Sequence, residues 1–253
     1  MREPKPKLTS AFETPDVKRR YNSRMFATIA PRYDLITRLL SFGSDQRWKK
    51  RLIELAVIQP GQRVLDLACG TGDLALAAAA KGASTVVGLD LTPAMIDLAR
   101  RRDAALSAGV TWVVGDMHAL PVPSASFDVV TTGYGLRNVP DLTVALSEIH
   151  RALRPGGLVC SLDFNRPESP WLRAVYLTYL DIVGATMGWV LHRDPDTYRY
   201  IPASIRRYPG ARGVVRLMQD AGFTDVRHIP VLGGLMAIHL GVRPSSDLAP
   251  VQV

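Results

Sequence analysis

Five of the six residues from Val64 to Cys69 are apolar, the pattern of a strand buried on both faces. A glycine turn, Gly70-Thr71-Gly72, follows, and then Asp73 and an Ala/Leu-rich helix. The same alternation recurs downstream. Strands are predicted at Ser84–Leu89, Val110–Gly115, Phe127–Thr132 and Leu158–Phe164, the first two running into Asp90 and Asp116. Helices are predicted from Thr92-Pro93, a good cap and first-turn pair, to about Ala108, and from Asp141 to Leu153. Arg154-Pro155-Gly156-Gly157 stops the second of these. A helix over Gly210–Ala221 precedes two runs, Thr224–Val231 and Leu235–Leu240, which Gly233-Gly234 separates as a closing antiparallel hairpin. Strands alternating with helices predict a doubly wound, mostly parallel, seven-stranded Rossmann-like α/β sheet.

Around this core the polarity pattern changes. Residues 16–58 read as a helical cap, broken at Pro31 and Gly43 and rich in Tyr, Phe and Trp. Residues 59–242 form the α/β domain, and 166–209 are an insertion within it. Ala174–Leu191 carries one charge, Asp181, in 18 residues. A membrane span is weighed for this segment, but the length is minimal and a central Asp is costly in lipid. A lid helix with an apolar inner face is preferred. Residues 1–15 and 243–253 read as disordered tails, the first of them basic.

Composition adds few constraints. At 253 residues, 47% apolar and 21% charged, the chain has material for a sizeable core. Cys69 and Cys160 fall in apolar strands and read as small core residues of a reducing compartment, here the cytoplasm. No Cys/His cluster suggests a metal. The net charge of +8 is spread along the chain and suits solvated faces, an anionic membrane surface or nucleic acid. The N-terminus has no apolar run of the secretory type.

The candidate chemistry sits at the strand ends. Gly70, Gly72 and Ala75 satisfy the dinucleotide fingerprint, with Asp90 at the right distance. Yet Asp66 and Asp73 flank the turn, where a pyrophosphate would be repelled. Two carboxylates suit S-adenosylmethionine (SAM), which has an ammonium, a sulfonium and no phosphate. Asp90 can accept both ribose hydroxyls, and Leu91 is counted beside it. Asp116 can take the adenine amino group while Met117 packs on the ring. Gly133 and Tyr134, through Arg137 and Asn138, form the loop that would face the reacting centre.

Five segments are similar to the menaquinone/ubiquinone-biosynthesis C-methyltransferase (UbiE/MenG) family of class I SAM-dependent enzymes. They are MFATIAPRYDLITRLLSFGSDQRWKK, VLDLACGTGD, GLRNVPDLTVALSEIHRALRPGG, DPDTYRYIPASIRRYP and GGLMAIHLG. The resemblance implies methyl transfer from SAM to a ring carbon of a prenylated hydroquinone. It implies that Thr71, Asp90, Asp116, Met117 and the position of Gly133 line the donor site, and that Tyr33, Arg137 and Asn138 face the quinol. Two departures stand out. Gly133-Tyr134-Gly135 replaces the common Ser-Phe-Gly, so a serine contact becomes backbone only, and Asp116-Met117 replaces a common Asn-Ala.

Arg137 stays protonated and cannot be the base, so its expected part is to stabilise the phenolate or orient a water. Asn138 and Tyr33 are expected to hold ring oxygens. Trp171, Val175, Tyr179, Ile182, Met187 and Trp189 are candidates for the prenyl channel, with a packed core helix as the alternative. His239 reads as a core histidine or as a polar contact at the pocket. Demethylmenaquinol is the favoured substrate, with a methoxy-polyprenyl-benzoquinol or a small phenol as alternatives. A nucleic-acid methylase and a SAM-fold protein without turnover are the rival classes; the loop after Thr132 lacks the signatures of amino and cytosine-C5 methylases. Peripheral contact with the inner membrane face is expected, and a homo-oligomer is left open.

Overall fold

The computed structural model describes residues 8–41 and 43–245. The strands are β1 (Arg63–Leu67), β2 (Thr85–Asp90), β3 (Thr111–Val114), β4 (Phe127–Gly133), β5 (Leu153–Phe164), β6 (Thr224–Val231) and β7 (Met236–Val242). They form one sheet in the order β3-β2-β1-β4-β5-β7-β6. β1 pairs in parallel with β2 and β4, and β7 is antiparallel to both β5 and β6. The order reverses beside β1, which opens a crevice at the carboxyl ends of β1 and β4. The expected sheet and closing hairpin are therefore present. β5 starts earlier than the sequence suggests, because Leu153 pairs with Phe127 before a register shift leads into Leu158.

Helices α4 (Asp73–Ala80), α5 (Pro93–Leu106), α6 (Leu142–Ala152) and α9 (Ala211–Asp220) flank the sheet. α6 starts where Asp141 accepts the Thr143 N–H at 2.8 Å. α5 starts differently: Thr92 makes no side-chain cap bond, and the Thr92 N–H donates to Asp90 Oδ1 at 2.8 Å instead. Strand β2 thus anchors the residue from which the following helix starts.

The cap is α1 (Pro15–Ile29), α2 (Tyr33–Leu40) and α3 (Asp45–Ala56). Ile29, Ala30 and Ile36 bury against Met95 and Tyr198, tying cap to core and insertion. Order begins earlier than the sequence suggests. Leu8–Ser10 form a 3-10 turn, Ala11 is fully buried, and Phe12 stacks on Tyr200 at 5.4 Å. At the other end Arg243 is held by the carbonyls of His150, Arg151 and Leu153. The rest of the expected tails, residues 1–7 and 246–253, lies outside the described residues.

The insertion is a helix pair, α7 (Pro170–His192) and α8 (Asp196–Arg207). Gly188 sets their approach, since a Cβ there would lie 2.4 Å from the Asp194 carbonyl oxygen. α7 is long and apolar enough to cross a membrane, with a mean hydropathy of 1.4. Its Tyr176, Leu177 and Leu180 nevertheless pack with Ile205 of α8. The expected orientation of α7 is wrong in detail. Trp171, Val175, Ile182 and Trp189 point to solvent, with Trp171 74% exposed and Trp189 67%.

Candidate active site

Two cavities meet at the crevice. The first is bounded by Gly70, Asp90, Leu91, Asp116, Met117 and Gly133. The second runs between the cap, the insertion and the β4–α6 loop, with Tyr33, Arg137, Asn138, Phe164, Tyr176 and Tyr198 on its walls. Phe26, Tyr33, Tyr134 and Asn138 belong to both. A small third cavity beneath the glycine turn is bounded by Lys49, Asp66, Thr71 and Asp73, and it shares Tyr33, Gly70, Gly133 and Tyr134 with the first. Tyr33, Asp66, Gly70, Thr71, Asp90, Leu91, Asp116, Met117, Gly133, Arg137 and Asn138 therefore each lie on one of three adjoining walls.

Gly72 is the exception. It bounds none of these cavities, and a Cβ there would lie 2.5 Å from Trp112 Cη2. Its φ of 93° also favours glycine, so packing against the indole and turn geometry explain it.

Asp90 organises the turn. Its Oδ2 accepts the Gly70 N–H at 2.9 Å while Oδ1 takes Thr92 N–H, and the side chain is buried. Burial raises its pKa, and the two backbone N–H groups oppose that shift. Asp66 is fully buried, accepting from Ala75 N–H at 3.1 Å and Thr131 Oγ1 at 2.8 Å. Burial pushes its carboxyl up to about 7.

The electrostatics of the turn differ from the expectation. Asp73 does not present free negative charge. Lys49 Nζ lies 2.8 Å from its Oδ2 and Arg102 Nη2 lies 2.7 Å from its Oδ1. Burial works against ionisation, but these cations outweigh it and hold the carboxyl far below the usual range. Arg102 also donates to the Thr71 carbonyl and hydroxyl, both at 2.9 Å. The sequence separation of 24 residues for Lys49 and 29 for Arg102 hid this pairing.

Lys49 also donates to Asp45 Oδ2 at 2.8 Å. Burial alone would lower the lysine pKa, but Asp73, Tyr33 and Asp45 together raise it above the ordinary range. Asp45 Oδ1 accepts the Tyr134 hydroxyl at 2.7 Å. Tyr134 has a φ of 62°, unusual for a residue with a Cβ. The Tyr134 N–H donates to the Leu162 carbonyl at 2.7 Å, and Asn138 Nδ2 donates to the Tyr134 carbonyl at 2.7 Å.

On the second wall Arg137 is buried. Its N–H donates to Asp163 Oδ2 at 2.9 Å and its Nε to Oδ1 at 3.3 Å. Nη1 donates to Ser204 of α8, and the guanidinium lies 5.1 Å from the centre of the Phe164 ring. Asn138 Oδ1 is buried and meets no hydrogen-bond partner among the described residues. Burial pushes the Tyr33 hydroxyl up to about 12, so it stays protonated and can donate. On the first wall Asp116 is held by Arg19, whose Nε lies 2.6 Å from Oδ2.

Sequence reading missed Asp163, Lys49, Asp45 and Arg19. A signal for three of them existed. Asp163 is a carboxylate ending an apolar strand, as Asp90 is, and Asp45/Lys49 is an i,i+4 pair. For the channel it named mainly the wrong face of α7. Among its candidates Tyr179 bounds the second cavity, and Met187 packs against the Ile29–Tyr198 cluster. His239 is 1% exposed and neutral, lowered by burial to about 4, with Nε2 3.2 Å from the Ala211 carbonyl oxygen. It is a core histidine. Both cysteines are buried and free.

The model of the ubiE/COQ5 methyltransferase family matches residues 14–243. The chain belongs to that family. It is 42% identical over 221 residues to the demethylmenaquinone methyltransferase of Thermus thermophilus, covering 87% of this chain and 100% of that protein. It is 38% identical over 250 residues to the ubiquinone/menaquinone biosynthesis C-methyltransferase UbiE of Rubrivivax gelatinosus, covering 97% of each. A crystal structure of a SAM-dependent methyltransferase from Aquifex aeolicus superposes with a TM-score of 0.56 at 16% identity, over 77% of this chain and 89% of that one, and supports the fold. This ubiE/COQ5 family member is thus a SAM-dependent methyltransferase, and its fold is the class I methyltransferase sheet.

Proposed function

We propose that the enzyme C-methylates demethylmenaquinol, with the donor in the first cavity and the quinol in the second. The observation that carries this reading is the shared wall. Tyr33, Tyr134 and Asn138 bound both cavities, so two substrates on either side meet at the Arg137–Asn138 loop. Two relatives are named demethylmenaquinone methyltransferases, one at 42% identity from Thermus thermophilus and one at 35% from Staphylococcus aureus.

The first cavity fits the donor. Asp116 and Met117 suit the adenine, Leu91 its apolar edge, Asp90 the ribose hydroxyls, and the Gly70, Thr71 and Gly133 region the remainder. When bound, the donor supplies an electrophilic methyl group. The chain's own residues prepare the acceptor. The neutral Tyr33 hydroxyl donates to one ring oxygen. The unpartnered Asn138 Oδ1 accepts from a ring hydroxyl, and pairing it satisfies a buried acceptor. Arg137 stabilises the phenolate as water takes the hydroxyl proton, and Asp163 keeps the guanidinium in place. Phe26, Ile29, Ile36 and Tyr176 offer an apolar wall to the prenyl tail. Much of the rate comes from alignment across the wall.

Methyl transfer from labelled SAM tests the reading. Demethylmenaquinol should be methylated at least tenfold faster than a 2-methoxy-6-polyprenyl-1,4-benzoquinol. The reverse ranking assigns the enzyme to the benzoquinol branch. Turnover of short soluble phenols alone sinks the prenylated substrate.

A tail dissolved in lipid needs a route to the cavity, and the outer face of α7 fits one. Trp171, Val175, Ile182, Trp189 and Val190 form an exposed apolar stripe, and Tyr179 lies on it and on the cavity wall. Arg193, exposed at the C-terminal cap of α7, suits anionic headgroups. In this proposal the enzyme works from the cytoplasm at the inner membrane face. The protein should float with phosphatidylglycerol vesicles, and a Trp171→Ser, Ile182→Ser, Trp189→Ser variant should stay at the bottom of the gradient. Equal flotation of both discards this surface.

A further inference from the structure

Tyr134 bounds all three cavities, yet none of the roles above uses its hydroxyl, the group that sets Gly133-Tyr134-Gly135 apart from the common Ser-Phe-Gly. Its φ of 62° lies in the left-handed region, which a residue with a Cβ keeps only where its surroundings hold it. The backbone is held from both sides, by the Leu162 carbonyl and by Asn138 Nδ2, each at 2.7 Å. The side chain is held from the cap, where the hydroxyl donates to Asp45 Oδ1 at 2.7 Å. Both residues are buried. Asp45 itself bounds none of the three cavities.

Each end of this link is firmly seated. Asp45 opens α3, its N–H donates to Ser41 Oγ at 3.1 Å, and its Oδ2 accepts from Lys49. Lys49 is tied in turn to Asp73 at the glycine turn. On the loop side the next residue, Gly135, is wedged in place: a Cβ there would lie 2.4 Å from Thr132 Oγ1. The Asn138 N–H donates to the Gly135 carbonyl at 2.9 Å. Its side chain is bonded to the Tyr134 carbonyl, and only the amide nitrogen can make that bond. The direction of Asn138 Oδ1 is therefore fixed by the orientation of the Tyr134 peptide.

We propose that the Tyr134–Asp45 hydrogen bond braces the acceptor loop against the cap, making Tyr134 and Asp45 positioning residues that aim Asn138 Oδ1 at the ring hydroxyl. The inference rests on the quinol reading above. A hydroxyl donating to a buried carboxylate makes a strong bond of its kind, and its loss lets the left-handed peptide relax. Helix α3 thereby acts on methyl transfer through a residue that touches neither substrate. A bond that served only to seat α3 would change stability and leave the rate of the folded enzyme unaffected.

Steady-state methyl transfer from labelled SAM, with calorimetry of SAM binding, separates these roles. Tyr134→Phe keeps the ring on the cavity walls and deprives Asp45 Oδ1 of its donor. Its kcat with demethylmenaquinol should fall about tenfold, the size of one hydrogen bond, while SAM affinity stays within threefold. Asp45→Ala removes the same bond from the cap side and should show a comparable loss. The deciding readout is an Asn138→Ala background. A brace that acts through Asn138 has nothing left to aim there, so adding Tyr134→Phe should slow that enzyme less than twofold further. Losses that multiply in the double variant overturn the proposal, and so does Tyr134→Phe turnover within twofold of wild type. A tenfold loss of SAM affinity in Tyr134→Phe overturns it as well, because the bond then serves the donor. Full turnover in Asp45→Ala overturns it even if Tyr134→Phe fails to fold. A wild-type protein that methylates no prenylated quinol removes the acceptor reading itself, and this inference with it.

Discussion

Arg137→Ala should lower turnover by about 10²–10³ while leaving SAM affinity within threefold, the loss typical of a removed oxyanion donor. The guanidinium bounds the acceptor cavity and is absent from the donor cavity, which is why the effect should fall on kcat. The substitution also strands Asp163, fully buried at the end of β5. Breaking a buried pair by removing one partner costs about 3–5 kcal/mol, so a lower melting temperature should accompany the loss. An Arg137→Ala, Asp163→Ala double variant separates the two effects. It removes the stranded charge and should recover much of the stability, yet none of the turnover. Recovered turnover in the double variant would reduce Arg137 to a structural counter-ion. Arg137→Lys should also be poor, because a single ammonium cannot satisfy Asp163 and Ser204 while facing a ring oxygen.

Asp90→Ala should weaken SAM binding by about 10²–10³. Two ribose hydroxyls lose their acceptor, each worth roughly 1.5–3 kcal/mol when the acceptor is charged. The turn also loses its anchor, since the Gly70 and Thr92 N–H groups both point at this carboxylate. Methylthioadenosine, which keeps the ribose, should lose affinity in parallel with SAM. Calorimetric affinities within threefold of wild type would remove Asp90 from the site.

The parallel sheet was readable because each central strand is a short apolar run ended by Gly or Asp. β1, β2 and β4 need no partner information to be located. The strand-end carboxylates at 66, 90 and 116 were readable for the same reason. Long-range charge pairing was not. Lys49 and Arg102 lie on separate helices either side of Asp73 in sequence, and only folding brings both to its carboxylate. The facing of α7 was hidden for another reason. Its sequence is apolar around most of the helix, so periodicity selects no inner side. What turns it is the close approach at Gly188, together with the packing of Tyr176 and Leu180. Gly72 shows the limit of a motif. It fits the fingerprint, yet what constrains it is the indole of Trp112.

Tyr33 and Tyr134 bound the donor and acceptor cavities at once, so the two cavities adjoin. A single compound joining an adenosine to a short alkyl-naphthol through a linker of a few atoms could therefore occupy both. Tethering makes the second engagement intramolecular, and such a bisubstrate inhibitor should outbind the sum of its fragments. The selectivity of such a compound would come from the acceptor half, whose walls belong to the cap and insertion rather than to the common sheet.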